Sequence, residues 1–141
     1  MSPSKKNITV FICHAHNDKV AVQKLYRCMV KDRIDVWLDA EKLQPGQNWK
    51  HEIRKAILKS DVVIVCLSRA FSKQKGYRHE ELKVALERAP LFSEDEIFII
   101  PARLENCDLP ESLRHLHRVD LFEDDGYKKL IRTLRKYVST N

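Results

Sequence analysis

The chain has 141 residues, of which 43% are hydrophobic and 33% charged, with a formal net charge of +6. That length closes one core without disulfide or metal support, and the composition excludes a disordered chain. No apolar run approaches the roughly 18–20 residues that a membrane-spanning helix needs, and the positive balance favours anionic ligands without choosing among them.

The start, "MSPSKKNITVFIC", has lysines but no apolar h-region and no small-residue cleavage site, so no signal peptide is read and residues 1–7 form a flexible arm. "ITVFIC" (8–13) is a short β-branched apolar run, a buried strand. "NDKVAVQKLYRCMVKD" follows as a helix with Ala21, Leu25, Cys28 and Met29 on one face and Asn17 or Asp18 as its cap. "IDVWLD" (34–39) is a second strand, and the loop "AEKLQPGQN" after it carries the turn pair Pro45-Gly46. Trp49, Ile53, Ala56 and Ile57 mark a second helix. "VVIVCLS" (62–68) is the clearest buried strand, and "KGYRHEELKVALER" (75–88) a third helix. "IFIIPARL" is a fourth strand, ended by Pro101. "RVDLF" (118–122) reads as an edge strand. In the last helix Tyr127, Leu130, Ile131, Leu134, Tyr137 and Val138 fall on one stripe.

Strands alternating with helices imply an α/β fold: a flavodoxin-like, doubly wound, five-stranded parallel sheet with helices on both faces. Ligands in such folds sit at the carboxyl ends of the strands. The function is therefore expected in "HAHND", "DAEKLQPGQNW", "SRAFSKQKGY" and "ARLENCDLP". The cysteines Cys13, Cys28, Cys66 and Cys107 make no CxxC pair. They read as buried reduced thiols of a cytoplasmic protein, with Cys107 in a polar loop.

Several chemistries lack their residues. With three glycines, neither GxGxxG nor GxxxxGK[ST] is present, which argues against a dinucleotide fingerprint and a P-loop. His14 and His16 resemble half of a metal site, but no cluster completes it, so no metal is expected. No GxSxG elbow marks a serine hydrolase. A phospho-receiver would need an Asp after strand three, where "CLSRA" stands. Lys128, Lys129, Arg132, Arg135 and Lys136 lie opposite the apolar stripe of the last helix. They read as a solvated face, and without interleaved aromatics nucleic acid is not favoured.

Taken together, "VFICHAHND", "VWLDAEKLQPGQNWKHEIRKAI", "SDVVIVCLSRAFSKQKGYRHEELKVALE" and the closing "IFIIPARLENCDLPESLRHLHRVDLFEDDGYKKLIRTLRKY" resemble a bacterial-type TIR (Toll/interleukin-1 receptor) domain. The resemblance spans 8–138, leaving 139–141 as a tail. His14 stands where the family commonly has Tyr, Cys13 where Ser is common, and Tyr77 where Trp is usual. The Phe-Trp box of animal receptors is not recognisable. Some TIR domains are scaffolds. Others cleave the nicotinamide–ribose bond of NAD+, giving nicotinamide and ADP-ribose or a cyclic isomer, and these resemble one another in a glutamate four residues after the third-motif aromatic. Four residues after Tyr77 is Glu81.

Helix geometry brings Glu81 forward as well. Leu82, Ala85, Leu86 and Ala89 define a buried stripe. At about 100° per residue Glu80 and Glu87 point outward, whereas Glu81 lies at the edge of the stripe in the first turn. A boundary charge is the bland alternative. The resemblance implies a catalytic Glu81 that stabilises an oxocarbenium-like ribose, with no cofactor and NAD+ as substrate. It implies further contacts from His14, Ala15, His16, Asp39, Leu43, Trp49, Ser68 and Tyr77, each with a structural alternative: turn, cap or packing. Arg69, Lys73, Lys75 and Arg78 suit a pyrophosphate or a solvated loop equally. The family's enzymes are similar in needing self-association, here through the loop 40–48, and a lone TIR domain usually has a regulatory domain or partner protein. The role implied is immune, above all antiviral, signalling. Two other readings stay open: a non-enzymatic TIR scaffold, and a nucleoside deoxyribosyltransferase-like enzyme.

Overall fold

The computed structural model describes residues 8–38, 45–73, 83, 85, 87 and 98–140. Five parallel strands, β1 (Thr9–Cys13), β2 (Asp35–Leu38), β3 (Val62–Leu67), β4 (Ile99–Arg103) and β5 (Val119–Asp120), lie in the order β2-β1-β3-β4-β5. The helices are α1 (Lys19–Lys31), α2 (Trp49–Lys59), the short α3 (Arg69–Lys73) and the C-terminal α4 (Gly126–Thr140). Positions 83, 85 and 87 are also helical. This is the flavodoxin-like doubly wound sheet expected from the alternation of elements.

The strand period of two divides the core. Val10, Ile12, Val36, Leu38, Ile64 and Cys66 face Val22, Leu25 and Met29 of α1 and Leu130, Ile131 and Leu134 of α4. Phe11, Cys13, Val63, Val65 and Leu67 face Ile53 and Ile57 of α2, Phe71 of α3, and Ala85. Every β3 side chain is buried. At about 1.5–3 kcal/mol per buried apolar side chain, β3 anchors both layers, whereas the two-residue β5 adds little pairing of its own.

Four local expectations change. Pro101 does not end β4 but sits within it. The Phe98 carbonyl accepts from Val63 N–H and Leu104 N–H donates to the Leu67 carbonyl, so 98, 100, 102 and 104 face β3 and Pro101 faces the β5 side. There the β5 ladder begins only at Ala102 opposite Val119, and the missing N–H costs no strand hydrogen bond. On α1 the buried face is Val22, Leu25 and Met29, and both Ala21 and Cys28 are exposed. Cys28 is thus not a buried thiol, although Cys13 and Cys66 are. The segment after β3, read as loop, begins as α3. Asp18 stands at the N-cap of α1 but makes no side-chain cap bond, because its carboxylate is used elsewhere.

Two further expectations hold, the Pro45-Gly46 turn and the buried stripe of the third helix where it is described. Pro45-Gly46 forms a turn, with Gly46 at φ +89°, a left-handed conformation that glycine adopts freely. Asn48 caps α2 by accepting from His51 N–H at 3.3 Å. Ala85 is buried while Lys83 and Glu87 are exposed, in agreement with the stripe read from the third helix. Among the described residues no helix is long and apolar enough to cross a membrane.

Candidate functional site

In the order β2-β1-β3-β4-β5 the chain leaves β1 toward one edge of the sheet and β3 toward the other. α1 packs in one core layer and α3 in the other. The carboxyl ends of β1 and β3, neighbours with Cys13 opposite Val65, therefore lie at the topological switch point, where folds of this topology hold their ligand crevice. Of the sequence-predicted residues, the structure brings His14, Ala15 and Ser68 to this edge.

The β1–α1 link turns tightly. Ala15 is fully buried, and its carbonyl takes the Asp18 N–H at 3.0 Å and contacts His14 Nδ1 at 2.8 Å. A carbonyl only accepts, so the proton sits on Nδ1 of His14. The imidazole is 4% exposed and set by the backbone rather than hanging in solvent. A 3-10 turn, His16–Asp18, then leads into α1.

Ser68 ends β3 and does two things with one oxygen. It donates to Asp18 Oδ2 at 2.5 Å and accepts from Phe71 N–H at 3.1 Å. The second bond is an N-cap on α3. The first joins two loops 50 residues apart in sequence. Ser68 is only 3% exposed, so its hydroxyl serves the frame of the crevice. Asp18, half-buried, is the more accessible partner, and nothing in the local sequence distinguishes it from an ordinary cap.

The stitching continues along the edge. Arg69 N–H donates to Glu105 Oε2 at 2.8 Å, and Leu104 N–H to the Leu67 carbonyl at 2.8 Å, so the loops after β3 and β4 are joined. Arg103, 9% exposed, closes the far end. Its Nε and Nη2 hold Asp120 at 2.7 and 2.9 Å, and its Nη1 reaches Asn106 Oδ1 and the Cys107 carbonyl, both at 3.0 Å. The guanidinium also lies over the Phe122 ring, 5.4 Å from its centroid. Hydrogen bonding from Arg103 holds the Asp120 carboxyl below the usual range, and Arg118 at 3.1 Å adds to it. Sequence reading missed this clamp, because its partners come from two strands and a loop.

Burial, with a smaller contribution from Asp18, pushes the Cys66 thiol up to about 12. It remains protonated and is no nucleophile at neutral pH. Among the described residues no three His, Cys, Asp or Glu side chains are placed to share a metal ion. Asp39, Leu43, Tyr77 and Glu81 lie outside the described residues, as do Lys75 and Arg78. Of His16, Trp49 and Lys73 the backbone alone is described. Arg69 is exposed.

These features define a flavodoxin-like α/β domain with a polar-stitched crevice at its switch point. A family model described as the TIR domain matches residues 10–134, and the chain belongs to that family. It is 28% identical over 134 residues to the probable 2′ cyclic ADP-D-ribose synthase TcpO of Methanobrevibacter olleyae, covering 94% of this chain and 35% of that protein. It is 37% identical over 72 residues to the NAD(+) hydrolase TcpA of a Theionarchaea archaeon, covering 50% of this chain and 22% of that protein. The chain thus spans 35% or less of the length of these two relatives. Among solved structures, the TIR domain of the Toll-related receptor TRR-2 from Hydra magnipapillata superposes with a TM-score of 0.74 at 24% identity, over 89% of this chain and 97% of that one.

Proposed function

We propose that this TIR domain cleaves the nicotinamide–ribose bond of NAD+, releasing nicotinamide and leaving ADP-ribose or a cyclic isomer, and that it acts in an immune signalling pathway. The observation that carries the reading is the similarity to two relatives named for NAD+ hydrolysis and cyclic ADP-ribose synthesis, in a fold whose switch point lies at His14 and Ser68.

Nicotinamide leaves as a neutral ring, because the electrons of the broken bond discharge its positive nitrogen. No acid is needed at that atom. Positive charge instead accumulates on the ribose, and one carboxylate beside it lowers the barrier. Glu81 is that carboxylate in this reading. His14, Ala15 and Ser68 form the wall of the crevice, with the Ser68–Asp18 bond fixing its width. His16, Asp39, Leu43, Trp49 and Tyr77 supply the remaining contacts. Assembly of copies through 40–48 completes the site.

The test is nicotinamide release from NAD+ over a range of protein concentrations, with Glu81→Gln alongside. Release that rises with assembly and falls about 10²–10³-fold in the variant supports the enzyme. No release from assembled wild type, or equal release from both chains, removes it and leaves the scaffold reading.

A further inference from the structure

A second feature lies away from the switch point. A cleft of about 650 Å³ is bounded by Asp32, Tyr127, Lys128, Ile131, Arg132 and Arg135. Asp32 caps the far end of α1, about 20 Å along the helix axis from Asp18 at 1.5 Å per residue.

Two of the charges in this cleft, Lys128 and Arg132, have no carboxylate partner among the described residues. Lys128, Arg132, Arg135 and Lys136 follow the i, i+4, i+7, i+8 pattern of one helix face, a row about 12 Å long. Like charges four apart oppose helix formation. Nearby, Lys129 is paired with Asp125 at 3.4 Å, so α4 does neutralise a lysine on another side. Among the described lining residues the one carboxylate is Asp32, and it is already engaged by the Tyr127 hydroxyl at 2.6 Å and by Arg135 at 3.7 Å.

The wall behind the cations is apolar. Ile131 is nearly buried, and the Tyr127 ring is half-buried, with its hydroxyl tied to Asp32. Burial and the Asp32 contacts push the phenol up, so at neutral pH it stays a donor. A cleft in the size range of small-ligand sites, with one aromatic face and a short cationic row, matches one heterocycle attached to a short phosphate chain. A nucleic-acid groove would need a longer basic track with several aromatics. A membrane-binding face would need exposed apolar side chains beside the cations, whereas of the described lining residues Ile131 is buried and Tyr127 half-buried.

We propose that the cleft between the Asp32 turn and α4 is a ligand site for a nucleoside polyphosphate, with the phosphates on Lys128, Arg132 and Arg135 and the base against Tyr127 and Ile131. This assignment is independent of the NAD+-cleaving reading and of Glu81. The site is spatially separate, so a ligand there can regulate the domain without competing at the switch point.

The test is an amide-resolved NMR titration of the full chain with ATP, ADP, AMP and pyrophosphate, for wild type, Lys128→Glu and Arg132→Glu. The expected result is saturable shifts on 127–136 and the Asp32 turn, with affinity falling from ATP to ADP to AMP. Arg132→Glu should weaken ATP at least tenfold with a melting temperature that does not fall, since its side chain is exposed and the reversal relieves like charge along α4. Three outcomes overturn the proposal: no saturation at millimolar ATP, shifts centred on His14–Asp18 and Ser68, or indifference to both charge reversals. Pyrophosphate binding as tightly as ATP overturns the nucleoside assignment. Much tighter binding of a single-stranded oligonucleotide or of anionic phospholipid vesicles, with loss in the same variants, overturns it in favour of that partner.

Discussion

Replacing Ser68 with alanine removes one oxygen and two interactions. The hydroxyl that bridges to the Asp18 carboxylate at 2.5 Å is a charge-assisted hydrogen bond, of a type that contributes about 1.5–3 kcal/mol. The same oxygen caps α3 through Phe71 N–H at 3.1 Å, and loss of a serine cap costs about 1 kcal/mol. The two share an atom and do not add fully, so Ser68→Ala is expected to destabilise by about 2–3.5 kcal/mol. For a domain of this size that lowers the melting temperature by roughly 7–12 °C. Thermal and urea unfolding of wild type, Ser68→Ala, Asp18→Ala and the double variant form the assay. The coupling between the two sites should be about 1–2 kcal/mol, because Asp18→Ala removes the bridge but leaves the cap. A melting shift of under about 2 °C in Ser68→Ala, or a coupling near zero, would refute the idea that this bond ties the loops of β1 and β3. If the crevice is the NAD+ site, the variant should also raise KM for NAD+ at temperatures where it remains folded.

Asp120→Asn keeps the shape of the clamp and removes the charge opposite the buried Arg103 guanidinium. It should cost about 1.5–3 kcal/mol at pH 7, the range for charge-assisted hydrogen bonds, because the pair is part-buried. Arg103 holds the folded-state pKa of Asp120 below its ordinary value of 3.8. The stabilisation is therefore complete above that value and is lost as pH falls through the lowered folded-state pKa. Urea midpoints of wild type and variant should be well separated at pH 7 and should approach each other in strong acid. A separation that acid leaves unchanged contradicts the charge argument. Gly126→Ala should destabilise by about 2–3 kcal/mol even though alanine gains about 1 kcal/mol in helix propensity. A Cβ there would lie 2.1 Å from the Asp120 carbonyl oxygen and 2.9 Å from Leu121 Cα, both backbone atoms that cannot step aside cheaply. A raised melting temperature would show that the β5–α4 turn relaxes.

The strands were legible where burial on both faces makes a run wholly apolar. β3 is the plainest case, and its six buried side chains follow from "VVIVCL" alone. α4 was legible because Leu130, Ile131 and Leu134 recur at helical spacing. Pro101 was misread because the side to which its missing N–H points depends on strand neighbours, which a single strand does not display. Cys28 was misplaced by about one helical position: the buried stripe runs through Val22, not Ala21, and small apolar residues on both sides blurred its edge. Of the candidate site, position just beyond strand ends singled out His14, Ala15 and Ser68, which the structure places at the switch point. Glu81, outside the described residues, is proposed from its place at the edge of a buried stripe together with the family resemblance. The pairings of Asp18 and Arg103 were not legible, since an aspartate before a helix and an arginine at a strand end are ordinary.

The sequence by itself determined the five strands, the helices α1, α2 and α4 and the doubly wound class, because hydrophobic period and alternation are local properties of the chain. Tertiary structure alone decided that Ser68 spends its hydroxyl on Asp18, that Arg103 grips Asp120, and that Asp32 at the end of α1 meets Tyr127 of α4 beside a cleft. Those pairings join residues 50, 17 and 95 positions apart. Hydrogen bonds of 2.5–2.9 Å depend on where a folded sheet places its loops, and no spacing in one dimension records that.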